Sequence, residues 1–365
     1  MNKLTNIPEY LTYDDVLLLP AYSEFTRQEI SLKTKLSTHI TLDIPLVAAP
    51  MDTVTESALA IALGKLGGIG IIHRNLPIHD QVREVKTVKD QDCIVGAAIG
   101  ASKGFEERSE ALAQAGVSII CVDSAHGHAL SVIKTVKYLK THFPDIDVMA
   151  GNVATYDGAK ALIEAGADSI RVGMGPGAIC TTRIVSGMGV PQLTAVAECA
   201  RAAQGTHIPI VADGGITYSG DMVKAFAAGA SAVMMGRMFA ACEESPGEII
   251  EKDGKTFKSY RGMGSVGAME KGAQIKSEDE FHGKSYKDRV LVAEGVEGLV
   301  PLSGPLRHVV DQMIGGITSG MYYVGCKTIE ELYNKAQFIK ITQASLTESH
   351  PHNLIITNPG KNYWG

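Results

Sequence analysis

The chain has 365 residues, 45% hydrophobic and 20% charged, with a net charge of −6, a balance typical of a globular protein. The absence of any long basic run sets nucleic acid aside as a partner. Neither Met1–Tyr10 nor any later stretch has the apolar length of a signal peptide or membrane span, so a cytoplasmic, non-membrane protein is expected. A length above 250 admits two domains or one large α/β barrel, and 39 glycines favour the barrel with its many tight βα turns. The six cysteines, Cys93, Cys121, Cys180, Cys242 and Cys326 among them, show no zinc-ligand or disulfide spacing, which fits a reducing compartment.

Short β-branched and apolar runs alternate with helical stretches along the chain. Strands are predicted at Pro45–Ala48, Gly70–Ile72, Val95–Ile99, Ile119–Asp123, Val148–Gly151, Ser169–Val172, Ile210–Asp213 and Ala232–Met235. Helices are predicted at Ser57–Lys65, Ile78–Val88, Phe105–Ala115, Ala129–His142, Ala159–Ala165, Leu193–Ala203 and Met222–Ala228. Eight such strands suit a closed (β/α)8 barrel, with a doubly wound open sheet as the alternative. Asp123, Asn152, Gly173, Asp213 and Gly236 fall at the C-terminal ends of strands, the rim where barrel active sites gather. Glu243 to Tyr286 has weak periodicity and reads as a long excursion, a flap over the site. The tail from Thr328 is expected to hold one helix and then an extended end.

The segment Gly173-Met174-Gly175-Pro176-Gly177-Ala178-Ile179-Cys180-Thr181-Thr182-Arg183 is the most informative. Its alternate glycines let the backbone curve, offering N–H groups to an anion or carbonyls to a cation. Cys180 on this loop is either an exposed nucleophile or a small buried hydrophobe. The Thr-Thr-Arg that follows sets a hydroxyl and a cation beside its sulfur. Asp213-Gly214-Gly215-Ile216 and Met234-Met235-Gly236-Arg237 are successive turns suited to phosphate, unless they are merely structural βα turns. Asp213 can accept hydrogen bonds from a ribose diol. Asp123-Ser124-Ala125-His126-Gly127-His128 offers polar contacts to substrate or cofactor and is a poor match to zinc ligation. No Gly-x-Gly-x-x-Gly follows an early strand, so a dinucleotide is not expected in the Rossmann manner.

Taken together these motifs resemble the IMP dehydrogenase/GMP reductase family. The likeness covers nearly the whole chain, from Leu11-Thr12-Tyr13-Asp14-Asp15-Val16-Leu17-Leu18 through Ala49-Pro50-Met51-Asp52-Thr53-Val54-Thr55-Glu56 and Gly67-Gly68-Ile69-Gly70-Ile71-Ile72-His73 to the cysteine loop. It resumes at Asp213-Gly214-Gly215, Tyr260-Arg261-Gly262-Met263-Gly264-Ser265 and Glu294-Gly295. The resemblance implies that Cys180 attacks C2 of IMP, that hydride passes to NAD, and that water releases XMP from the thioimidate. It places Thr182 and Glu294 at the reacting carbon. Ribose and phosphate fall to Asp213, Gly215, Gly236 and Tyr260, Met263 and Gly264 meet the base, and Met51, Arg237 and Gly262 complete the substrate set. Asp123, Ser124, Asn152 and Gly173 lie toward the cofactor. It further implies a potassium ion held by carbonyls of Gly175, Gly177 and Cys180, with Glu348, Ser349 and His350 of a neighbouring subunit, and hence a homotetramer.

The chain departs from the family pattern at four points. Lys89-Asp90-Gln91-Asp92 runs straight into Ile94-Val95-Gly96, so the inserted CBS pair is absent near 90–94 and residues 1–365 form a single catalytic domain. Ala178 and Arg237 stand where phosphate-binding serines are expected, and Arg237 can bind phosphate by charge. The flap, about 265–293, lacks the Arg-Tyr pair of the dehydrogenases and offers Arg289 as the candidate substitute. The dehydrogenase-like start and the Glu348-Ser349-His350 segment nevertheless make oxidation of IMP with NAD the first implication of the resemblance. The runner-up is the reverse-sense chemistry, GMP reduced to IMP and ammonia with NADPH, and a third reading is a non-catalytic paralogue that binds purine nucleotides.

Overall fold

The computed structural model describes residues 5–278, 292–358, 360 and 363. Eight parallel strands close into a barrel: β1 (Leu46–Ala48), β2 (Ile69–Ile72), β3 (Gly96–Ile99), β4 (Ile119–Asp123), β5 (Asp147–Val153), β6 (Ser169–Val172), β7 (Ile210–Asp213) and β8 (Ala232–Met235). Closure comes from β8 pairing with β1, Met234 opposite Val47. All eight are the predicted strands, four with the predicted ends and four with ends shifted by one or two residues.

Side chains alternate across each strand, and the alternation sorts them into two cores. Val47, Ile69, Ile71, Ile119, Cys121, Met149, Val211 and Met234 fill the barrel interior. Their neighbours Leu46, Ile72, Ile120, Val122, Ile170 and Val172 face outward against the helices. A hairpin of Thr34–Lys35 and Thr41–Leu42 closes the N-terminal end, with Leu36 and Leu42 plugging it. The polar rim is left at the opposite, C-terminal end.

The outer helices are Ser57–Gly64, Ile78–Lys89, Phe105–Gln114, Leu130–His142, Tyr156–Glu164, Gln192–Ala203 and Ser219–Ala227. Two begin three residues earlier than apolar periodicity predicts. Thr155 Oγ1 accepts the Gly158 N–H at 3.2 Å, so the first turn starts at Tyr156. The Asp221 carboxylate accepts the N–H groups of Thr217 and Tyr218, both at 2.9 Å, which fixes the start at Ser219. A further helix, Leu306–Val324, was not anticipated; it packs on Ser219–Ala227 and on Ser57–Gly64.

One organisational expectation is filled out and one is corrected. The excursion after β8 holds regular structure. It contains β9 (Ile249–Lys252) and β10 (Lys255–Arg261), which join β11 (Glu297–Pro301) in an antiparallel sheet, followed on β10 by the helix Val266–Glu278. Its polar, Gly- and Lys-rich strands are solvent-facing on one side, which blurs their hydrophobic period. The tail carries two helices rather than one, Ile329–Lys335 and Gln343–Glu348. Between them Phe338–Lys340 pairs antiparallel with Val16–Leu18, tying the two ends of the chain together.

Candidate active site

A cavity of about 550 Å³ opens at the C-terminal end of the barrel, within the range of small-molecule sites. The cysteine loop forms one wall. Gly173 leaves β6 with φ 153°, and a Cβ there would collide with the Asp213 carbonyl, so only glycine fits. Further on, the Cys180 N–H donates to the Gly177 carbonyl at 3.0 Å. The segment before β11 is laced to the loop: Thr181 N–H donates to the Glu294 carbonyl and Val296 N–H to the Ile179 carbonyl, each at 3.0 Å.

This lacing brings together three side chains distant in sequence. Cys180 Sγ lies 3.2 Å from Thr182 Oγ1, and Thr182 Oγ1 lies 2.9 Å from Glu294 Oε2. Thiol, hydroxyl and carboxylate form a continuous path for a proton. Cys180 is also the one cysteine of the six that is not buried. Burial pushes the Cys121 and Cys199 thiols up to about 12, which keeps them protonated and inert. Arg183, expected beside the sulfur, is engaged by the loop's own backbone. Its stem packs against Gly175 and Gly189, and its Nη2 donates to the Val190 carbonyl at 2.7 Å, so the cation clamps the loop's return.

Across the cavity stand Asp123 at the end of β4 and Asp213 at the end of β7. Arg171 of β6 bridges them, Nη1 to Asp123 Oδ1 at 2.6 Å and Nε to Asp213 Oδ2 at 3.0 Å. Arg74 Nε reaches the other Asp123 oxygen at 3.1 Å. Burial pushes the Asp123 carboxyl up, but Arg171 and Arg74 outweigh it and hold it below its ordinary range. For Arg171 burial works against the charge, and Asp213 and Asp123 more than reverse it, so the guanidinium stays protonated. Asn152 Nδ2 donates to the Gly173 carbonyl at 2.9 Å and to Asp213 Oδ2 at 2.8 Å. Both amide hydrogens are thereby committed, and Asn152 acts mainly by holding Asp213 in place.

The flap sheet roofs the cavity. Tyr260 of β10 is buried with its hydroxyl against Gly236. The next residue, Arg261, binds Asp52 through two bonds, Nε to Oδ1 at 3.1 Å and Nη2 to Oδ2 at 2.6 Å, and Asn75 adds a third at 2.8 Å. The Asp52 side chain is fully buried. Burial acts to raise its pKa, and the hydrogen bonds from Arg261 and Asn75 overcome that and hold the carboxyl below its ordinary value of 3.8. Asp52→Asn is therefore expected to lower stability by about 3 kcal/mol, the cost of leaving one partner of a largely buried pair alone. A carboxyl depressed in the folded state stabilises above the unfolded value and loses that contribution as pH falls through the folded one. The gap between wild type and Asp52→Asn in urea unfolding should be full at pH 6 and shrink steadily below pH 3.8.

Most of the predicted site is assembled in this one cavity. Met51, Asp213, Gly215, Gly236, Arg237, Tyr260, Gly262, Met263 and Gly264 line it, as do Asp123, Ser124, Asn152 and Gly173. Gly175, Gly177, Cys180, Thr182 and Glu294 complete it. His126 and His128 are exposed and do not line it. Glu348, Ser349 and His350 lie apart from it, at the end of the last helix, where His350 Nδ1 is 3.0 Å from the Tyr363 hydroxyl. Arg289 falls outside the described residues. Sequence reasoning missed Arg171, Arg74 and the Asp52–Arg261 pair. An arginine inside an apolar strand, Ser169-Ile170-Arg171-Val172, was the available signal for the first.

A profile described as IMP dehydrogenase / GMP reductase domain matches residues 10–352. The chain is 41% identical to an inosine-5'-monophosphate dehydrogenase of Aquifex aeolicus, covering 98% of each. It is 44% identical to those of Borreliella burgdorferi (97% of this chain, 98% of the relative) and Cryptosporidium parvum (98% of each). The Aquifex alignment runs over 486 positions and the other two over 403 and 401, so these relatives carry inserted sequence that this 365-residue chain lacks. A likeness of this extent to both profile and relatives means that the chain belongs to the IMP dehydrogenase/GMP reductase family.

Proposed function

We propose that the chain oxidises IMP to XMP with NAD as hydride acceptor. The Cys180–Thr182–Glu294 relay carries this reading, standing in one cavity with two βα turns suited to a nucleotide monophosphate. The relatives, each an inosine-5'-monophosphate dehydrogenase by name, support it.

Cys180 Sγ bonds to purine C2, and its proton passes through Thr182 toward Glu294. The C2–H bond then breaks with its electron pair leaving as hydride; bound NAD supplies the acceptor. Glu294 releases that proton to solvent; water then adds to C2 of the covalent adduct, its proton passes along the same Thr182–Glu294 path, and that proton returns to sulfur as the C2–S bond breaks to restore the thiol. Asp213, fixed by Arg171 and Asn152, accepts the ribose hydroxyls. The N–H groups of Gly215 and Gly236, with Tyr260 and Arg237, hold the phosphate. Met51, Gly262, Met263 and Gly264 border the base, and Asp123, Ser124, Asn152 and Gly173 take the cofactor side.

The carbonyls of Gly175, Gly177 and Cys180 lie on a single turn and are neutral oxygen donors, a set suited to an alkali cation. Potassium there, completed by Glu348, Ser349 and His350 of a neighbouring copy in a homotetramer, would brace the cysteine loop. We read residues 1–365 as one catalytic domain without a CBS pair, since residues 90–95 only link helix Ile78–Lys89 to β3.

One observation favours a second reading: the flap lacks the Arg-Tyr pair expected to activate water, while the same relay can protonate departing ammonia in the reduction of GMP by NADPH. Absorbance at 340 nm with potassium separates the two. Dehydrogenation predicts a rise with IMP and NAD and equimolar XMP. A fall with GMP and NADPH and release of ammonia replaces it with the reductase, and silence in both leaves a nucleotide-binding paralogue.

A further inference from the structure

Beyond the active site, a second cavity of about 310 Å³ lies on the far side of Arg237. Arg237 borders both cavities. It is half-buried, and among the described residues its guanidinium has no hydrogen-bond or ion-pair partner. Partly desolvated cations are usually paired. His308 and Gln312, one turn apart on helix Leu306–Val324, line the same cavity, and their side chains likewise have no partner among the described residues. The remaining wall is largely apolar, with Met238, Val300 and Val309 prominent. A mostly apolar concavity with a few converging, unused polar groups is the general form of a small-molecule site.

We propose that this cavity binds a small amphipathic organic anion. Its acid group meets the Arg237 guanidinium, with His308 and Gln312 as further hydrogen-bond partners, and its apolar body lies on Met238, Val300 and Val309. This goes beyond the dehydrogenase reading, and binding does not depend on it. One consequence does rest on that reading: an anion here takes Arg237 away from the substrate phosphate, so it raises the KM for the nucleotide and leaves kcat unchanged.

The test is a fluorescence titration of the full chain with 8-anilinonaphthalene-1-sulfonate, a sulfonate on an apolar ring system. Saturable binding of one dye per chain is expected. The double variant His308→Ala/Gln312→Ala and the cavity-filling Val309→Trp should each weaken it by about tenfold or more, the loss of a hydrogen bond to a charged group or of the apolar contact. Both lie outside the proposed catalytic machinery, so turnover without dye should stay at the wild-type level. His308 is exposed, which keeps the double variant foldable if the tryptophan is not. Absence of saturable binding overturns the proposal. So does dye binding that IMP displaces but neither variant weakens, because the dye then sits in the substrate cavity. A failure of the dehydrogenase reading would show at 340 nm and leave this titration untouched.

Discussion

Cys180→Ala is expected to abolish IMP oxidation, with kcat down by about 10⁴-fold or more, while the KD for IMP changes little. The magnitude is that of removing a nucleophile whose step has no alternative route. Binding should survive because the phosphate and ribose contacts proposed here come from the β7 and β8 turns and from Tyr260, not from the sulfur. Thr182→Ala and Glu294→Gln keep the thiol but interrupt the path at 3.2 and 2.9 Å; proton relays of this kind contribute about 10²–10⁴-fold. Steady-state kinetics beside calorimetric titration with IMP would read both quantities. Equal losses of binding and turnover in Cys180→Ala would mean that the cysteine shapes the loop rather than reacts.

Arg171→Met should be the most destabilising substitution on the rim, by about 3–5 kcal/mol, because it strands two carboxylates in a low-dielectric site. Their side chains are only 16% and 17% exposed, and that of Arg171 is 9% exposed. Arg171→Lys should recover only part of this, since one ammonium cannot span both carboxylates as the planar fork does. The sign of the pH dependence follows from Asp123, whose carboxyl is held below its ordinary 3.8 in the folded chain. Its pairing stabilises the fold above that value and is lost as pH falls below it. Urea unfolding should therefore show the full Arg171→Met deficit at pH 7 and a smaller one at pH 3. A deficit independent of pH would assign the loss to packing.

The barrel was legible because its eight strands are short apolar runs buried on both faces, most of them ending in or followed by a glycine or polar residue. The cysteine loop was legible for a related reason: its glycines and threonines make no sense as core. The flap sheet was not, since β9 and β10 interleave charged with apolar residues, β9 being mostly exposed and β10 burying a lysine, Lys258, beside Tyr260. The helix Leu306–Val324 was missed although its apolar residues are regularly spaced, with Leu306, Val310, Met313, Ile317, Met321 and Val324 forming its buried face. Arg171, Arg74 and Arg261 escaped for a different cause. Each owes its place to a carboxylate brought close only by barrel closure or by the flap, from Asp213 and Asp123 to Asp52. Local sequence carries no record of such pairings. The same holds for Arg183, whose guanidinium is engaged by the Val190 carbonyl seven residues on.

The most direct measurement of the central claim is intact-protein and peptide mass spectrometry after rapid acid quench of the enzyme mixed with IMP and NAD. A nucleotide-sized mass increase should appear on the peptide carrying Cys180, only when both ligands are present, and disappear in Cys180→Ala. Turnover to XMP with no adduct on that peptide at any quench time, or with the adduct on another residue, would contradict the role assigned to Cys180.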